Sequence, residues 1–560
     1  MTVAVLALLP GSAPPASAQT PAAERLRIPF PAYDGTLTPY TFALGYPLVT
    51  LIYDTLMWRD ANGIPQPWLA QSVTRSNGGR RLTVRLRDGV RWHDGRAVTA
   101  ADVAFTFRYV ADRYQPRFTP QLERVRRVRA TGRLTAVIEL DRPSLGFEDQ
   151  PLADLPILPR HRWQDLPAGR SAPAGMAIGS GPYRLVRAGR ERGYVFRANS
   201  RYFRGAPAVR EIRVPFMGDV ERSYEALRRR EADMLPLSLP ASVADDLGDT
   251  PGINVERGAS YAGTMLVLNV RRPPFDDRAA RRAVAAALDI DRIARRAAPA
   301  VAADEGFIHP ASRWATHDRI RRPDPQAPRA GRAIGTPVRV LAPANDPVRL
   351  EAGREVVLAL NQAGARATLV QRSREQLERA AGLGGGQPTF EAAIATIPPL
   401  ASYDPSGLTR LFSSDPRIGA LNTSGYRSEE FDDVAAGLAT AADEEARRSA
   451  VRELLDLLAR DAPAIPLFFP RGAFAYRTAA YSNWTFVEGS GILDKRSFLA
   501  SDDGAAGEAQ TDVEQDPALA ADGGDDSGAI GIANIISLVV VLAVIVLAVL
   551  GLRQRRRERL

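Results

Sequence analysis

Twenty-four mostly apolar residues, Ala529 to Leu552, run directly into Arg553-Gln554-Arg555-Arg556-Arg557-Glu558-Arg559 and the final Leu560. At 1.5 Å per helical residue this segment is long enough to cross the roughly 30 Å hydrocarbon core of a bilayer. Only Asn534 and Ser537 place polar side chains in it. The five arginines behind it belong on the cytoplasmic face. A tail of eight residues, 553–560, is too short to fold. The sequence therefore predicts a single-pass protein of the cell membrane with its working body on the extracytoplasmic side, which excludes a cytoplasmic enzyme or kinase module.

The other end agrees. Thr2 to Leu9 is a short apolar stretch, and Ala16-Ser17-Ala18 has the small-x-small form of a signal cleavage site, so residues 1–18 are expected to be a signal peptide, although no positive charge precedes the apolar stretch. The chain has no cysteine, which removes disulfides, thiolate metal sites, thiol nucleophiles and a cysteine-linked lipid anchor. The terminal helix is then the expected tether. Between the two ends, Ser501 to Ser527 holds nine acidic residues and no basic one, and residues 501–528 are predicted to form a disordered acidic stalk.

The remaining body is too long for one compact core and should divide into two or three lobes. Its positive charge comes almost wholly from arginine, with Lys495 the only lysine among 73 basic residues, and carboxylates are interspersed throughout. Dispersed arginine is not the footprint of a nucleic-acid groove, so no nucleic-acid partner is expected. Catalytic constellations are missing: there is no G-x-S-x-G elbow and no P-loop lysine. The four histidines, His93, His161, His309 and His317, have no helical pairing that would ligate a metal. No catalytic residue, cofactor or metal is expected.

Local patterns fix several elements. Pro47 to Met57 has apolar residues at helical spacing, Arg59 to Gly63 reads as a hairpin turn, and Leu82, Val84 and Leu86 alternate as one face of a strand. Asp88-Gly89 and Asp94-Gly95 mark turns, after which Thr99 caps a helix with Asp102 at its positive end. His93 lies in the Trp92-His93-Asp94 turn as a surface or packing residue.

Taken together, Pro67-Trp68-Leu69-Ala70, Leu86 to Gly95 and Val98 to Val103 resemble the signature of the family 5 extracellular solute-binding proteins, the dipeptide, oligopeptide and nickel receptors of ABC importers. The resemblance continues in order along the body. It includes Gly179-Ser180-Gly181-Pro182-Tyr183, Asn199 with Tyr202-Phe203-Arg204-Gly205, and Asn269 with Pro274-Phe275-Asp276-Asp277 and Arg281 to Asp289. It closes with Tyr426 to Asp432 and Asp461 to Leu467. By residue chemistry most of these are turn, cap and entry residues that identify a fold and do not bind ligand.

The resemblance implies an α/β, two-lobed periplasmic-binding-protein-like fold with mixed sheets and an inserted subdomain, to which the apolar run at the end of the sequence adds one C-terminal transmembrane helix. Lobe I would comprise 26–58, 178–262 and 462–500, the inserted subdomain 59–177, and lobe II 263–461, with Thr264 to Val270 and Ala464 to Phe469 as hinge strands. It implies ligand contacts at Gly45, Tyr46 and Pro47, at Tyr261, and in the loop Leu400-Ala401-Ser402-Tyr403-Asp404-Pro405. In peptide receptors an aspartate before that tyrosine pairs with the ligand ammonium, and here the place is taken by Ser402, while Ile397-Pro398-Pro399 replaces the usual tryptophan. Unless Asp404 substitutes, the ligand is expected not to be an ordinary peptide with a free N-terminus. The function implied is a monomeric receptor that captures a peptide or similar small molecule and delivers it to ABC permease subunits. A sensory or adaptor ectodomain acting through a partner membrane protein is the alternative. A chain ending at Ala500 is expected in the soluble fraction after cell lysis and the full chain in the membrane fraction; detergent partitioning of the shortened chain would overturn the tether assignment.

Overall fold

The alternating segment Arg81–Leu86 forms a strand that buries Leu82, Val84 and Leu86. It is the second strand of an antiparallel four-stranded sheet in the order Ala70–Ser76, Arg81–Leu86, Thr135–Leu140, Val125–Ala130. The helix Ala100–Asp112 covers this sheet and adds Val103, Phe107 and Val110 to the same core. Its start is fixed as the sequence predicts: the Asp102 carboxylate accepts the Thr99 N–H at 2.9 Å and also the Arg160 N–H at 3.0 Å. These elements belong to a computed structural model that describes residues 23–500 except 32, 41, 43, 44, 116, 167–174, 176, 319–329, 383–385 and 442. The expected signal peptide, stalk, transmembrane helix and basic tail lie outside the described residues. Among the described residues no helix is long and apolar enough to cross a membrane.

A second four-stranded sheet has the order Ala23–Arg27, Val209–Val214, Gly193–Ala198, Tyr183–Gly189, with its first pair parallel and the others antiparallel. Leu26, Ile212 and Phe196 on this sheet share a core with Leu51 of the helix Tyr46–Ile52 and with Ile492 and Phe498 from the far end of the body. The first and last described segments are thus packed into one body.

The third sheet is mixed and has seven strands. Gly263–Leu268 is buried at every position, as an apolar run without alternation should be. It lies between Ala392–Ile397 and Ala464–Arg477, antiparallel to both. Val338–Pro343 runs parallel to Ala367–Arg372 and to Ala392–Ile397, with the helix Pro347–Gln362 as a crossover. Apolar cores fill both faces. The long strand Ala464–Arg477 pairs first with Gly263–Leu268 and then, from Arg471 on, with Ile253–Ala259. The two strands expected as chain crossings are therefore hydrogen-bonded neighbours, Leu266 opposite Ile465.

One sequence expectation requires correction. The helix read over Pro47 to Met57 ends at Ile52, with Tyr53 already extended at φ −115°, ψ 141°. The cause is Asp54, which lies beyond the helix in a buried polar knot. Its Oδ1 accepts the Lys495 ammonium, the Trp68 indole N–H and the Tyr202 hydroxyl, each at 2.9 Å, and its Oδ2 accepts Ser180 Oγ at 2.9 Å. Both Asp54 and Lys495 have 0% side-chain exposure. The ammonium also faces the ring of Trp58, 4.1 Å from its centroid. Three stretches of the sequence signature, with Lys495 from beyond it, thus meet at one carboxylate.

A comparable knot holds the seven-stranded body. Asp461 accepts the Tyr426 hydroxyl at 2.7 Å and pairs with Arg278 and Arg460, while its carbonyl accepts Arg281 Nε at 2.7 Å. His93, in turn, is buried, with Nε2 3.0 Å from the Gly181 carbonyl and Nδ1 accepting the Gly179 N–H at 3.3 Å. This is the hydrogen-bond pattern of a neutral ring, and burial lowers its pKa to about 4.

Lys495→Met should leave Asp54 buried without a counter-charge and destabilise the body by about 3–5 kcal/mol, measured by urea unfolding. For His93, whose folded pKa is depressed, the unfolded chain takes up the proton first as pH falls. Its contribution is therefore complete above about pH 6.5 and is lost toward pH 4, on the order of 3 kcal/mol. His93→Gln should flatten that part of the stability profile, and an unchanged slope would show that another group causes it.

Candidate functional site

Where the seven-stranded body faces the other two sheets lies a cavity of about 490 Å³ that opens to solvent. The strand Met57–Arg59 brings Trp58 and Arg59 to its wall, the start of the helix Tyr46–Ile52 brings Tyr46 and Pro47, and the segment before the last turn brings Asp494. From the opposite body come Tyr403, at the end of the short helix Leu400–Tyr403, and Asp346 with Arg349 at the start of Pro347–Gln362. The volume falls in the range of small-ligand sites, and aromatic surface beside a few charged groups is the usual composition of such sites.

The charges sort by pairing. Arg117 lies 3.9 Å over the Tyr46 ring and binds the buried Asp154 through two nitrogens, at 2.6 and 3.2 Å. Arg117 holds the Asp154 carboxyl below the usual carboxylate range despite its burial. Arg349 pairs with Asp346. Arg59 donates to the Asp149 carbonyl at 2.9 Å and lies 4.1 Å over the Tyr403 ring, which joins the two bodies across the cavity. Asp494 accepts the Trp58 indole N–H at 3.1 Å and the Arg496 N–H at 2.9 Å through one oxygen, and burial raises its pKa.

Further contacts hold the two sides together. The Tyr403 hydroxyl donates to the Glu488 carbonyl at 3.0 Å and is 2.5 Å from Ser490 Oγ. Arg410 donates to Gln150 at 2.8 Å, and Arg313 pairs with Asp149. The arrangement is that of a closed cleft.

Of the residues singled out from sequence, Tyr46, Pro47 and Tyr403 lie on this wall. Gly45 is behind it, its N–H donated to Asp34 at 2.7 Å, and a Cβ there would stand 2.8 Å from that carboxylate. Tyr261 is buried between His309 and Tyr403, with ring centroids 5.1 Å away on either side. Ser402 accepts the His309 N–H at 2.9 Å and is 2% exposed. Asp404 is committed to Arg447, both side chains buried, so it does not supply the carboxylate that Ser402 lacks.

Arg59, Arg117, Asp154 and Asp494 were not singled out from sequence. Asp494 had one available signal, its position next to the chain's single lysine. Among the described residues no group of three or more histidines and carboxylates is placed to hold a metal ion. A larger cavity of about 1140 Å³ lies on the far side of the seven-stranded body, between helices Arg278–Ala287, Ile290–Ala297 and Glu444–Asp461. Its rim at Asp318 adjoins residues outside the described set, and no site is assigned to it.

Two α/β bodies closed over a small, aromatic-walled cavity define a two-lobed binding protein. The chain belongs to the bacterial extracellular solute-binding proteins of family 5, whose family 5 middle model matches residues 65–381, more than half of its length. Protein XP55 of Streptomyces lividans is 32% identical over 279 residues, 48% of this chain and 49% of that protein. The dipeptide-binding protein of Escherichia coli (strain K12) is 24% identical over 285 residues, 46% of this chain and 51% of that protein. The chain therefore matches about half the length of these curated relatives. The solved structure of the oligopeptide-binding protein AppA from Bacillus subtilis, in complex with a nonapeptide, superposes with a TM-score of 0.74 at 18% identity, covering 86% of this chain and 100% of that one. This similarity establishes the fold.

Proposed function

We propose that the protein is the substrate-binding receptor of an ABC importer, capturing a peptide or peptide-like small solute outside the membrane and delivering it to permease subunits without chemical change. The observation that carries this reading is the cavity between two α/β bodies, bridged by Tyr403 of one stacked under Arg59 of the other. Its similarity to a dipeptide-binding protein and to an oligopeptide-binding protein solved with a nonapeptide supports the ligand class. In this reading lobe I comprises 26–58, 178–262 and 462–500, the inserted subdomain 59–177 and lobe II 263–461, with Thr264 to Val270 and Ala464 to Phe469 near the hinge. The apolar stretch at the start, the acidic segment 501–528 and the apolar run 529–552 of the sequence support a body held on the extracytoplasmic side by a single span, with the receptor acting as a monomer. Capture by hinge closure follows from a site shared between two bodies.

The test is made on the full chain purified in nonionic detergent. Heat denaturation should release a small solute, identified by mass spectrometry in near-equimolar amount. Re-addition of that solute to ligand-free protein should change the tryptophan fluorescence, because Trp58 lies on the cavity wall. Absence of any retained solute, together with no fluorescence response to a peptide pool, would sink the receptor reading; chemical conversion of the solute would point to an enzyme.

A further inference from the structure

The four-stranded sheet that begins at Ala23–Arg27 has one face in the core and one in solvent, and its register gathers on the solvent face residues that lie far apart in the sequence. Arg25, Glu211, Arg197 and Arg184 stand side by side in one row across the four strands. Arg27, Arg213, Val195 and Arg187 form the next row, so that six of the eight positions are arginine. Antiparallel strands commonly leave one face wet, but a wet face ordinarily mixes both signs of charge, and like charges set directly opposite each other, as Arg184 and Arg197 are, destabilise a sheet. Glu211 accepts Arg25 Nε at 2.8 Å and Arg213 Nε at 2.7 Å, and Arg197 comes no nearer to it than 4.0 Å. Asp233 and Glu231, at the margin, act on Arg27. Arg184 donates to Asn199 at 3.3 Å, and neither it nor Arg187 has an ion pair with a described residue. The Arg25, Arg213 and Arg197 side chains are 50%, 50% and 69% exposed. Six guanidiniums on this face thus meet three carboxylates of the protein.

The partner that such a surface fits is broad and anionic. Guanidinium forks bind phosphate through two N–H groups at once, and an open sheet face presents several of them in one layer. The place of the face in the body points to the source of the phosphate. The described chain ends at Ala500, and shortly before it the Phe498 carbonyl accepts the Ala208 N–H at 2.8 Å while its ring lies 5.5 Å from that of Tyr183, next to the first arginine row. In the receptor reading above, on which this inference rests, the tether leaves the body from this point. We propose that the arginine face lies on the phosphate headgroups of anionic phospholipids in the membrane to which the receptor is tethered. The span holds the chain at the membrane, and the arginine face sets how the body is turned on it. None of the eight residues lines the ligand cavity, so lipid and ligand engage different surfaces.

The experiment reconstitutes the full chain in vesicles that carry an acceptor dye on their headgroups, with a donor dye on one introduced cysteine, which a chain without cysteine allows at a chosen place. Val186→Cys puts the donor on the edge strand of the arginine face, at a position 48% exposed, and Leu358→Cys puts it on the seven-stranded body, at a position 41% exposed. Exchanging about 30% of the phosphatidylcholine for phosphatidylglycerol should raise energy transfer from position 186 about twofold and from position 358 by less, and about 1 M NaCl, where the screening length is about 3 Å, should cancel the rise. Arg184→Gln, Arg187→Gln and Arg197→Gln together should remove it. Arg354→Gln, Arg366→Gln and Arg372→Gln together, three exposed arginines of the seven-stranded body, should preserve it. Melting temperatures are measured alongside, and if the first triple variant is unfolded, the lipid and salt dependence of the parent chain decides. Equal transfer from position 186 in both lipids overturns the proposal and leaves an acidic protein surface as what the face fits. Equal loss in both triple variants also overturns it, because overall charge then suffices. A chain that fails to float with phosphatidylcholine vesicles in high salt defeats the single-span reading instead, and the arginine face is then tested by flotation of the same variants with phosphatidylglycerol vesicles at low salt.

Discussion

The buried Asp54–Lys495 pair is the interaction on which the rest of the body depends. An ion pair with no exposure costs several kcal/mol per charge in desolvation, and here that cost is offset by complete hydrogen bonding of the carboxylate. Its partners come from stretches far apart in the chain: Trp68 from the turn before the antiparallel sheet, Ser180 and Tyr202 from either side of the second sheet, Lys495 from the last turn. None of these stretches can be placed independently of the others. The residue type at 495 is also informative. Its compact ammonium lies between the Trp58 ring and a carboxylate oxygen already shared by two other donors. In a chain whose other basic residues of this kind are all arginine, the single lysine stands at this buried carboxylate.

The same knot shapes the ligand wall. Trp58 covers the Lys495 ammonium with its ring and donates its indole N–H to Asp494, so one side chain closes the knot and orients the carboxylate of the cavity. Arg59, the next residue, reaches the Asp149 carbonyl and the Tyr403 ring. The apparatus that fixes the fold and the groups that face the ligand therefore occupy consecutive residues of one short strand. Substitutions in the knot should be read with this in mind, since a loss of binding in a Lys495 variant can follow from a displaced Trp58.

Much of the fold was legible because its signals are local. The Thr99 and Asp102 cap and the alternation at Leu82, Val84 and Leu86 each follow from a few neighbouring residues. The candidate site was legible only in part. In the loop from Leu400 to Pro405 the sequence places a serine, a tyrosine and an aspartate side by side. A four-residue helix turns Tyr403 toward the cavity and sends Ser402 to the His309 backbone and Asp404 to Arg447. Which of three adjacent polar residues faces the ligand depends on partners elsewhere in the chain. The Pro47 to Met57 helix failed for a related reason: periodicity continued past Ile52, but Asp54 was required in the knot.

The distribution of strong and weak contacts also bears on motion. The Asp54 knot is confined to the body with the two four-stranded sheets, and the Asp461 knot to the seven-stranded body. Between the bodies lie the Arg59 and Tyr403 stack, the Tyr403 hydroxyl bonds, the Arg410 bond to Gln150 and the Arg313 pair with Asp149. The hinge motion proposed above would break contacts of this second kind and leave both knots intact. The strand Ala464–Arg477, which pairs with Gly263–Leu268 at one end and Ile253–Ala259 at the other, keeps the chain continuous across the change. A binding protein needs this separation of energies, because a ligand drives closure only through the difference between its affinities for the open and closed forms.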